Sequence, residues 1–213
     1  MRAIILNGHG GVDALGYVEN FPDPQCGKDD VVVRVKSTSL NYHDIFTRNG
    51  MPGIKISMPM ICGLDVAGEI AEIGANVSGW KIGERVLIDP RNRVEGGLVG
   101  ETIHGGLAEY CRVKEHQLVR IPDGVSFDQA SSLPVAYGTA HRMMMTIGQV
   151  TSDDKILILG ASGGVGTGAL LLAKMAGAEV VVCASSDSKM EKLKSLGADH
   201  AMTYMNNEFH KGV

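Results

Sequence analysis

The stretch KILILGASGGVG at 155–166 decides the fold of the second half of the chain. Its first part, Ile156–Leu159, is a continuous apolar run of the kind that forms a strand buried on both faces. The glycine-rich segment Gly160–Gly166 follows directly, and a helical pattern runs from Thr167 to Ala176. A strand, a glycine loop and a helix in this order predict the first turn of a parallel βαβ unit.

The same alternation continues toward the C-terminus. We predict a strand over Glu179–Ala184, a helix over Lys189–Leu196 and a further strand over Ala201–Tyr204. Strands that alternate with helices of this length indicate a parallel sheet, so the fold class is α/β. We therefore predict a partial dinucleotide-binding domain, a doubly wound parallel sheet, over 151–213.

The N-terminal part has a different pattern, with short Val- and Ile-rich runs between glycine turns. We predict strands over Arg2–Leu6, Val31–Ser37, Val66–Ile73, Arg85–Ile88 and Leu107–Val113. A helix over Tyr42–Arg48 follows Asn41 as its N-cap, and a longer helical stretch covers Phe127–Ile147. These elements predict a β-rich domain over 1–150, with the boundary near 145–153.

Composition narrows the classes of function. The chain has 213 residues, 44% of them hydrophobic, and a formal net charge of −4 without a basic run. Such a balance does not indicate nucleic-acid or membrane binding, so a small-molecule substrate is the expected partner. No secretory signal or long apolar segment is evident, so we expect a cytoplasmic protein. The four cysteines are scattered, which favours buried thiols over a disulfide framework.

The glycine loop has the chemistry of a phosphate cradle. Glycines let the backbone approach a pyrophosphate, whose charge then lies at the N-terminus of the following helix. Ala161 stands where the first glycine of the usual GxGxxG pattern is found, but Gly163 and Gly166 occupy the other two positions. The predicted cofactor-binding residues of the loop are Gly160, Ser162, Gly163, Gly164 and Gly166.

The end of the second strand bears on the choice of cofactor. An NAD-binding unit usually has an acidic residue there, which accepts hydrogen bonds from the ribose. This chain has Ala184 or Ser185 at that position, and Ser186 and Lys189 follow closely. Hydroxyls and an ammonium suit a 2′-phosphate, so we expect NADP(H). Asp187 is the alternative acid if the register is shifted, and Ser186 and Lys189 could instead be a helix cap and a solvated side chain.

Six motifs resemble, in order and spacing, those of the medium-chain dehydrogenases/reductases, and most closely the zinc-free, quinone oxidoreductase-like, members. They are NYHD at 41–44, GLDVAGEI at 63–70, GERV at 83–86, GGLAEY at 105–110, LPVAYGTAH at 133–141 and GASGGVG at 160–166. The resemblance implies a GroES-like catalytic domain, a Rossmann domain and a homodimer. It also implies that Val165 backs the nicotinamide ring and that Thr139 lies beside it.

Zinc-dependent members of this superfamily hold their catalytic metal at positions that correspond to Asn41, Leu64 and Val135. Zinc prefers thiolate, imidazole or carboxylate ligands, and these residues offer none. The stretch 89–102, which corresponds to the structural-zinc lobe, has no cysteine. We therefore expect no zinc, although Asp65 and His43 lie near enough to bind a stray metal ion.

Without a metal, bound NADPH can still reduce an electrophilic acceptor, such as a quinone or an enone. The candidate catalytic residues are Asn41, Tyr42 and His43, which could also be a helix cap, an aromatic packing residue and a helix-surface residue. Alternative functions are an enoyl-thioester reductase, a relative of zinc-type alcohol dehydrogenases, and a non-catalytic, crystallin-like nucleotide-binding protein. Because relatives are longer, we predict that this chain alone is weakly active and prone to associate.

Overall fold

The computed structural model describes residues 1–203. Contacts divide the chain into two compact units, Met1–Val135 and Ala136–Val213. The strands are β1 (Ala3–Leu6), β2 (Leu15–Val18), β3 (Asp30–Ser39), β4 (Met60–Ile61), β5 (Asp65–Ile73), β6 (Arg85–Ile88), β7 (Tyr110–Lys114), β8 (Leu118–Arg120), β9 (Lys155–Ile158), β10 (Glu179–Ala184) and β11 (His200–Thr203). The helices are α1 (Tyr42–Asn49), α2 (Phe127–Ser131), α3 (Ala136–His141), α4 (Gly164–Met175) and α5 (Asp187–Ser195).

The first unit is built from antiparallel strands, as its Val- and Ile-rich runs predict. Five strands form a sheet in the order β7-β3-β5-β6-β8, and three more pair in the order β2-β1-β4. Alternate residues of β3 and β5, including Val31, Val33, Val66 and Ile70, are buried in one apolar cluster. Burial of these side chains holds in place the end of β3, which leads to the candidate catalytic residues Asn41–His43, and the start of β5, where Asp65 lies.

The second unit has the predicted parallel sheet. Its strand order is β11-β10-β9, with β10 paired in parallel to both neighbours. Val180 and Val182 are fully buried against Leu170 of α4 and Leu193 of α5. The α/β fold class is therefore confirmed, with a β-rich domain before a parallel-sheet portion. The predicted strand at 201–204 is seen as His200–Thr203, and Tyr204 lies outside the described residues.

The helical stretch predicted over 127–147 is interrupted. Helix α2 ends at Ser131, α3 begins at Ala136, and Arg142–Ile147 forms a π-helical segment. Pro134 explains the break, because proline lacks an N–H donor and disfavours helical backbone at the preceding residue. The division between the compact units lies within this stretch, between Val135 and Ala136, and so comes earlier than the predicted boundary near 145–153, because α3 packs against α4.

Several element ends also differ from the prediction. Helix α4 begins at Gly164 and α5 at Asp187, so both helices start earlier than expected. Strand β7 begins only at Tyr110, because the N–H of Leu107 donates to Cys62 rather than to the neighbouring strand β3. Short strands such as β4 have too few residues to show an alternating pattern. Within residues 1–203, no helix is long and apolar enough to span a bilayer.

Candidate functional site

The glycine loop between β9 and α4 is fixed by backbone hydrogen bonds. Gly160 has φ of +61°, a left-handed conformation that glycine adopts without strain. The N–H of Ala161 donates to the carbonyl of Cys183 on β10, at 3.0 Å. The N–H of Gly163 donates back to the carbonyl of Gly160, also at 3.0 Å. The loop therefore has a defined shape and lies at the carboxyl end of the parallel sheet.

Gly166 permits the close packing of helix on loop that its place in the motif predicts. A Cβ atom at this position would lie 2.7 Å from the Cα of Ala161 and 2.8 Å from the carbonyl oxygen of Gly160. These neighbours are backbone atoms, which cannot move aside. At Gly163, by contrast, a Cβ would be 3.5 Å from the same oxygen, an ordinary contact. The two glycines therefore serve different purposes.

The loop and the first turn of α4 can receive an anion. Ser162, Gly163 and Gly164 are exposed, and Gly163 is the extended N-cap residue of α4. The first N–H groups of a helix have no partner within the helix, and the helix dipole favours negative charge at this end. The Thr167 hydroxyl donates to Ala161 at 3.1 Å and ties the turn to the loop. This arrangement suits a pyrophosphate.

The residues after β10 are those on which the cofactor prediction depends. The strand ends at the buried Ala184, and Ser185 is the next residue. Lys189 extends its ammonium to the hydroxyl of Ser185, at 3.1 Å, so a cation and a hydroxyl lie together. Ser186 is the residue before α5, and Asp187 is the first residue of that helix, with an exposed side chain. The Asp187 carboxylate therefore does not stand at the end of β10, where an NAD-binding unit usually has its acidic residue.

The two residues assigned to the nicotinamide lie on α3 and α4. These helices are in close contact through small residues, since a Cβ on Gly164 would be 3.1 Å from that of Ala136. Val165 is half-buried on the first turn of α4, and Thr139 is exposed on α3. Their roles beside the nicotinamide remain predictions.

A buried carboxylate organises the polar residues of the first unit. Asp65, at the start of β5, is fully buried. Its Oδ2 accepts hydrogen bonds from the Ser39 hydroxyl at 2.6 Å and from Nδ2 of Asn41 at 2.8 Å. Its Oδ1 accepts from the backbone N–H of Val135 at 2.9 Å. Asp65 thereby links three segments of the chain and fixes the orientation of the Asn41 amide.

Sequence analysis considered Asn41 both as the N-cap of a helix and as a candidate catalytic residue. Its extended backbone precedes α1, which is the position of an N-cap. The cap interaction is made in the opposite direction, because the N–H of Asn41 donates to Oδ2 of Asp44 at 2.7 Å. The Asn41 side chain is directed to Asp65 instead. The amide is therefore held in a fixed orientation by Asp65.

Two buried carboxyl groups lie in this region. Burial is the main cause that raises the pKa of Asp65 above its ordinary value, although the bonds from Ser39 and Asn41 partly oppose the shift. Burial also raises the pKa of Asp44, and the charge of Asp65 adds to that effect. One oxygen of Asp44, Oδ1, is buried without a hydrogen-bond partner among the described residues. These carboxyls thus retain protons to higher pH than exposed ones.

His43 has a partner that the sequence did not reveal. Its Nε2 lies 2.7 Å from Oε2 of Glu101, and the Glu101 side chain is only 9% exposed. Glu101 is distant along the chain and belongs to the stretch 89–102, which sequence analysis considered only as the counterpart of a zinc lobe. A lone glutamate in a turn has no periodic or motif signal, so its contact with His43 appears only in the structure.

Tyr42 is the most exposed of the candidate catalytic residues, with 78% of its surface accessible. Its ring is tilted by 42° against that of Phe46, with the two centroids 6.3 Å apart. Sequence analysis also considered Tyr42 as an aromatic packing residue. The ring contact that it makes is with Phe46, on its own helix. An exposed phenol can meet a substrate, and this role stays a prediction.

The residue types at the zinc-ligand positions do not fit the metal. Leu64 is a buried aliphatic residue, Asn41 donates to Asp65, and Val135 contributes a backbone N–H. Among residues 1–203, no group of three or more His, Cys, Asp or Glu side chains could hold a metal ion. Burial raises the pKa of the nearby Cys62 to about 11, which leaves it a protonated thiol at neutral pH.

Comparisons with known proteins give the family. The model of the alcohol dehydrogenase GroES-like domain matches residues 27–123, and that of the zinc-binding dehydrogenases matches residues 164–212. A 2-methylene-furan-3-one reductase from Solanum lycopersicum is 36% identical over 98% of this chain and 53% of its own length. An NADPH-dependent alkenal/one oxidoreductase, chloroplastic, from Arabidopsis thaliana is 35% identical over 96% of this chain and 52% of its own.

Quinone reductases and a solved dehydrogenase structure are also similar. The quinone-oxidoreductase QR1, chloroplastic, from Triphysaria versicolor is 36% identical over 98% of this chain and 62% of its own length. A crystal structure of an NAD-dependent alcohol dehydrogenase superposes with a TM-score of 0.93 at 32% identity, covering 100% of this chain and 66% of that one. The chain spans about half of the length of the first two curated relatives. It belongs to the medium-chain dehydrogenase/reductase superfamily and carries the N-terminal part of that fold.

Proposed function

We propose that this protein is an NADPH-dependent reductase that transfers a hydride to an activated C=C bond, as in an enone, or to a quinone, without zinc. The observation that carries the proposal is the pairing of two features. One is a phosphate-binding loop followed by a Ser185–Lys189 pair in place of an acid. The other is Asn41, bound to the buried Asp65, at one of the three positions that correspond to zinc ligands.

The residues that would hold the cofactor fit its phosphates. The pyrophosphate would lie on the exposed segment Ser162–Gly164 and the first N–H groups of α4. The 2′-phosphate would accept hydrogen bonds from Lys189 and from the hydroxyls of Ser185 and Ser186. NADPH, when bound, would supply the hydride that reduces the acceptor.

The first unit offers the groups that such a reaction needs from the protein. Asn41, oriented by Asp65, can hydrogen-bond to the substrate or to the cofactor amide. His43 can hold and release a proton at its ring, and Tyr42 can donate from its phenol. Without a Lewis acid, the acceptor itself must be electrophilic, which favours enones and quinones over simple ketones or alcohols. The names of the three curated relatives, a 2-methylene-furan-3-one reductase, an alkenal/one oxidoreductase and a quinone-oxidoreductase, support this acceptor class, whereas the similar solved structure is named an alcohol dehydrogenase.

The test is a panel of acceptors with the protein in its complete natural form. NADPH oxidation is followed with an alkyl enone, a quinone, an enoyl thioester and a simple ketone, each with and without a chelator. The proposal expects turnover with the enone or the quinone that the chelator does not change. Turnover with the thioester alone would favour an enoyl-thioester reductase, and chelator-sensitive turnover of the ketone would overturn the zinc-free assignment. Binding of NADPH without any turnover would favour a non-catalytic nucleotide-binding protein.

A further inference from the structure

Glu101 makes a buried contact with a candidate catalytic residue. The Oε2 to Nε2 distance to His43 is 2.7 Å, and Glu101 is only 7% exposed. Side-chain accessibility of His43 is 29%, so the imidazole is partly open to solvent while its partner is not. A carboxylate is nearly always exposed in proteins unless a partner holds it. The burial of the Glu101 carboxylate beside His43 therefore calls for a physical explanation.

The backbone around Glu101 is built to keep the carboxylate in place. The N–H groups of Glu101, Thr102 and Ile103 all donate to the carbonyl of Leu98, which closes a tight turn. The preceding residue, Gly100, has φ of +78°, and a Cβ there would lie 2.7 Å from the backbone of Gly63. The turn is therefore seated directly on the segment that leads into β5. A side chain on such a turn has little freedom to leave its partner.

The contact decides which nitrogen of His43 is available for chemistry. An ionised carboxylate can only accept a hydrogen bond, so Nε2 must carry the proton that faces Glu101. Among the contacts of residues 1–203, Nδ1 of His43 has no partner. The proton that His43 can exchange with a ligand is therefore the one on Nδ1. After that proton leaves, the ring is the neutral Nε2–H tautomer, which is the form that Glu101 binds.

We infer that Glu101 is a positioning residue that orients His43 as the proton donor of an enone reduction, an inference that rests on the proposed function. Bound NADPH would supply a hydride to the β-carbon and would itself be oxidised to NADP⁺. The C=C electron pair would shift toward the carbonyl carbon and the C=O pair to oxygen, which leaves an enolate. The Nδ1–H bond of His43 then breaks, its electron pair stays on nitrogen, and the proton forms a C–H bond at the α-carbon. Solvent returns the proton to Nδ1 of His43.

The experiment compares Glu101→Gln, His43→Gln and the double variant in the complete protein. The control is Glu95→Gln, in the same loop region, which removes an exposed carboxylate that pairs with Lys114 at 3.2 Å. The tautomer of His43 is read by long-range ¹H–¹⁵N correlation, and kcat and KM are measured with an enone. Thermal unfolding verifies that each variant is folded.

The inference expects a proton on Nε2 of His43 in the wild type and a mixture of tautomers in Glu101→Gln. It expects kcat to fall by about tenfold or more in Glu101→Gln, since a positioned general acid contributes about 10²–10⁴-fold. KM for NADPH should stay within about twofold, and the double variant should be no slower than His43→Gln. Glu95→Gln should resemble the wild type in every measurement.

Two kinds of failure are distinguishable. A wild type that binds NADPH but reduces neither an enone nor a quinone would overturn the proposed function, and the inference with it. Reduction of a quinone without any enone would overturn the inference alone. An active wild type with unchanged kcat in Glu101→Gln, with losses that add in the double variant, or with the proton on Nδ1 rather than Nε2, would overturn the inference alone. A purely structural role for Glu101 would lower the unfolding temperature without moving the tautomer or kcat.

Discussion

Asn41 donates a 2.8 Å hydrogen bond from its side-chain amide to Asp65, whose carboxylate is completely buried. Because Ser39 and the Val135 backbone also donate to Asp65, its two oxygens are well satisfied and the amide cannot rotate freely. The Asn41 amide is therefore held in one orientation, at the position that the motif resemblance assigns to a zinc ligand in zinc-dependent members. This relationship links the architecture of the first unit to its proposed chemistry.

Replacement of Asp65 by leucine removes the common acceptor of these donors. The half-buried N–H of Val135 and hydroxyl of Ser39 would lose their acceptor, so we expect the free energy of unfolding to fall by about 2–3 kcal/mol. Chemical denaturation measures this change. Glu69→Gln, on the same strand, breaks only a partly exposed pair with Lys36 and should cost at most about 1 kcal/mol. Equal losses in both variants would show that the Asp65 hydrogen bonds add nothing specific.

The glycine loop allows a matched pair of substitutions. Gly166→Ala places a Cβ 2.7 Å from the backbone of Ala161, so the loop or helix must shift, at a cost of about 1–3 kcal/mol. We expect NADPH affinity, measured by calorimetry, to fall by about tenfold or more as the cradle distorts. Gly163→Ala meets only an ordinary 3.5 Å contact and should keep wild-type stability. An unaltered affinity in Gly166→Ala would contradict the assignment of this loop to the cofactor.

Cofactor preference should depend on the residue that follows β10. Ser185→Asp places a carboxylate beside the site of the proposed 2′-phosphate and engages Lys189, which now binds the Ser185 hydroxyl at 3.1 Å. Repulsion should weaken NADPH binding by about tenfold or more, and a new acceptor for the ribose hydroxyls should strengthen NADH binding. Lys192→Ala, exposed on the same helix, is the control. If both affinities are unchanged, the 2′-phosphate does not lie here.

Acid titration should reveal the buried carboxyl of Asp44. Burial raises its pKa in the folded state above the ordinary value of 3.8, so the folded protein binds this proton more tightly than the unfolded chain. Its contribution to stability is therefore fully present below pH 3.8 and is lost as pH rises through the folded pKa. In Asp44→Asn this loss is absent. The unfolding free energy of the wild type relative to Asp44→Asn should decline as pH increases above 3.8, and a constant difference would refute the shift.

The sequence was most informative where spacing determines geometry. The run at 155–166 predicted the strand, the loop and the helix, because apolar runs and glycine turns have strong local signals. The expectation that this strand is buried on both faces was wrong, since Leu157 is 41% exposed. Strand Arg85–Ile88 and strand Glu179–Ala184 have the predicted bounds. Helix starts were less certain, since Gly164 and Asp187 are helical only because the residues before them are extended and the following turn packs on the sheet.

The candidate site shows where sequence reasoning ends. Asn41 and His43 could be named from their motif, but their partners are set by tertiary packing. Asp65 lies in another strand and Glu101 in a distant turn, and nothing in the local sequence connects either to α1. Hydrogen bonds between residues so far apart depend on the sheet register and on loop placement, which a single sequence does not encode in any short pattern.

The most direct test of the central claim follows one deuterium atom. The complete protein is incubated with NADPH that is deuterated at the transferable position of its nicotinamide and with an alkyl enone, and the product is analysed by NMR. We expect one deuterium at the β-carbon, a solvent-derived hydrogen at the α-carbon, and no effect of a chelator. Product without deuterium at the β-carbon, or no product from an enone or a quinone despite bound NADPH, would contradict the account.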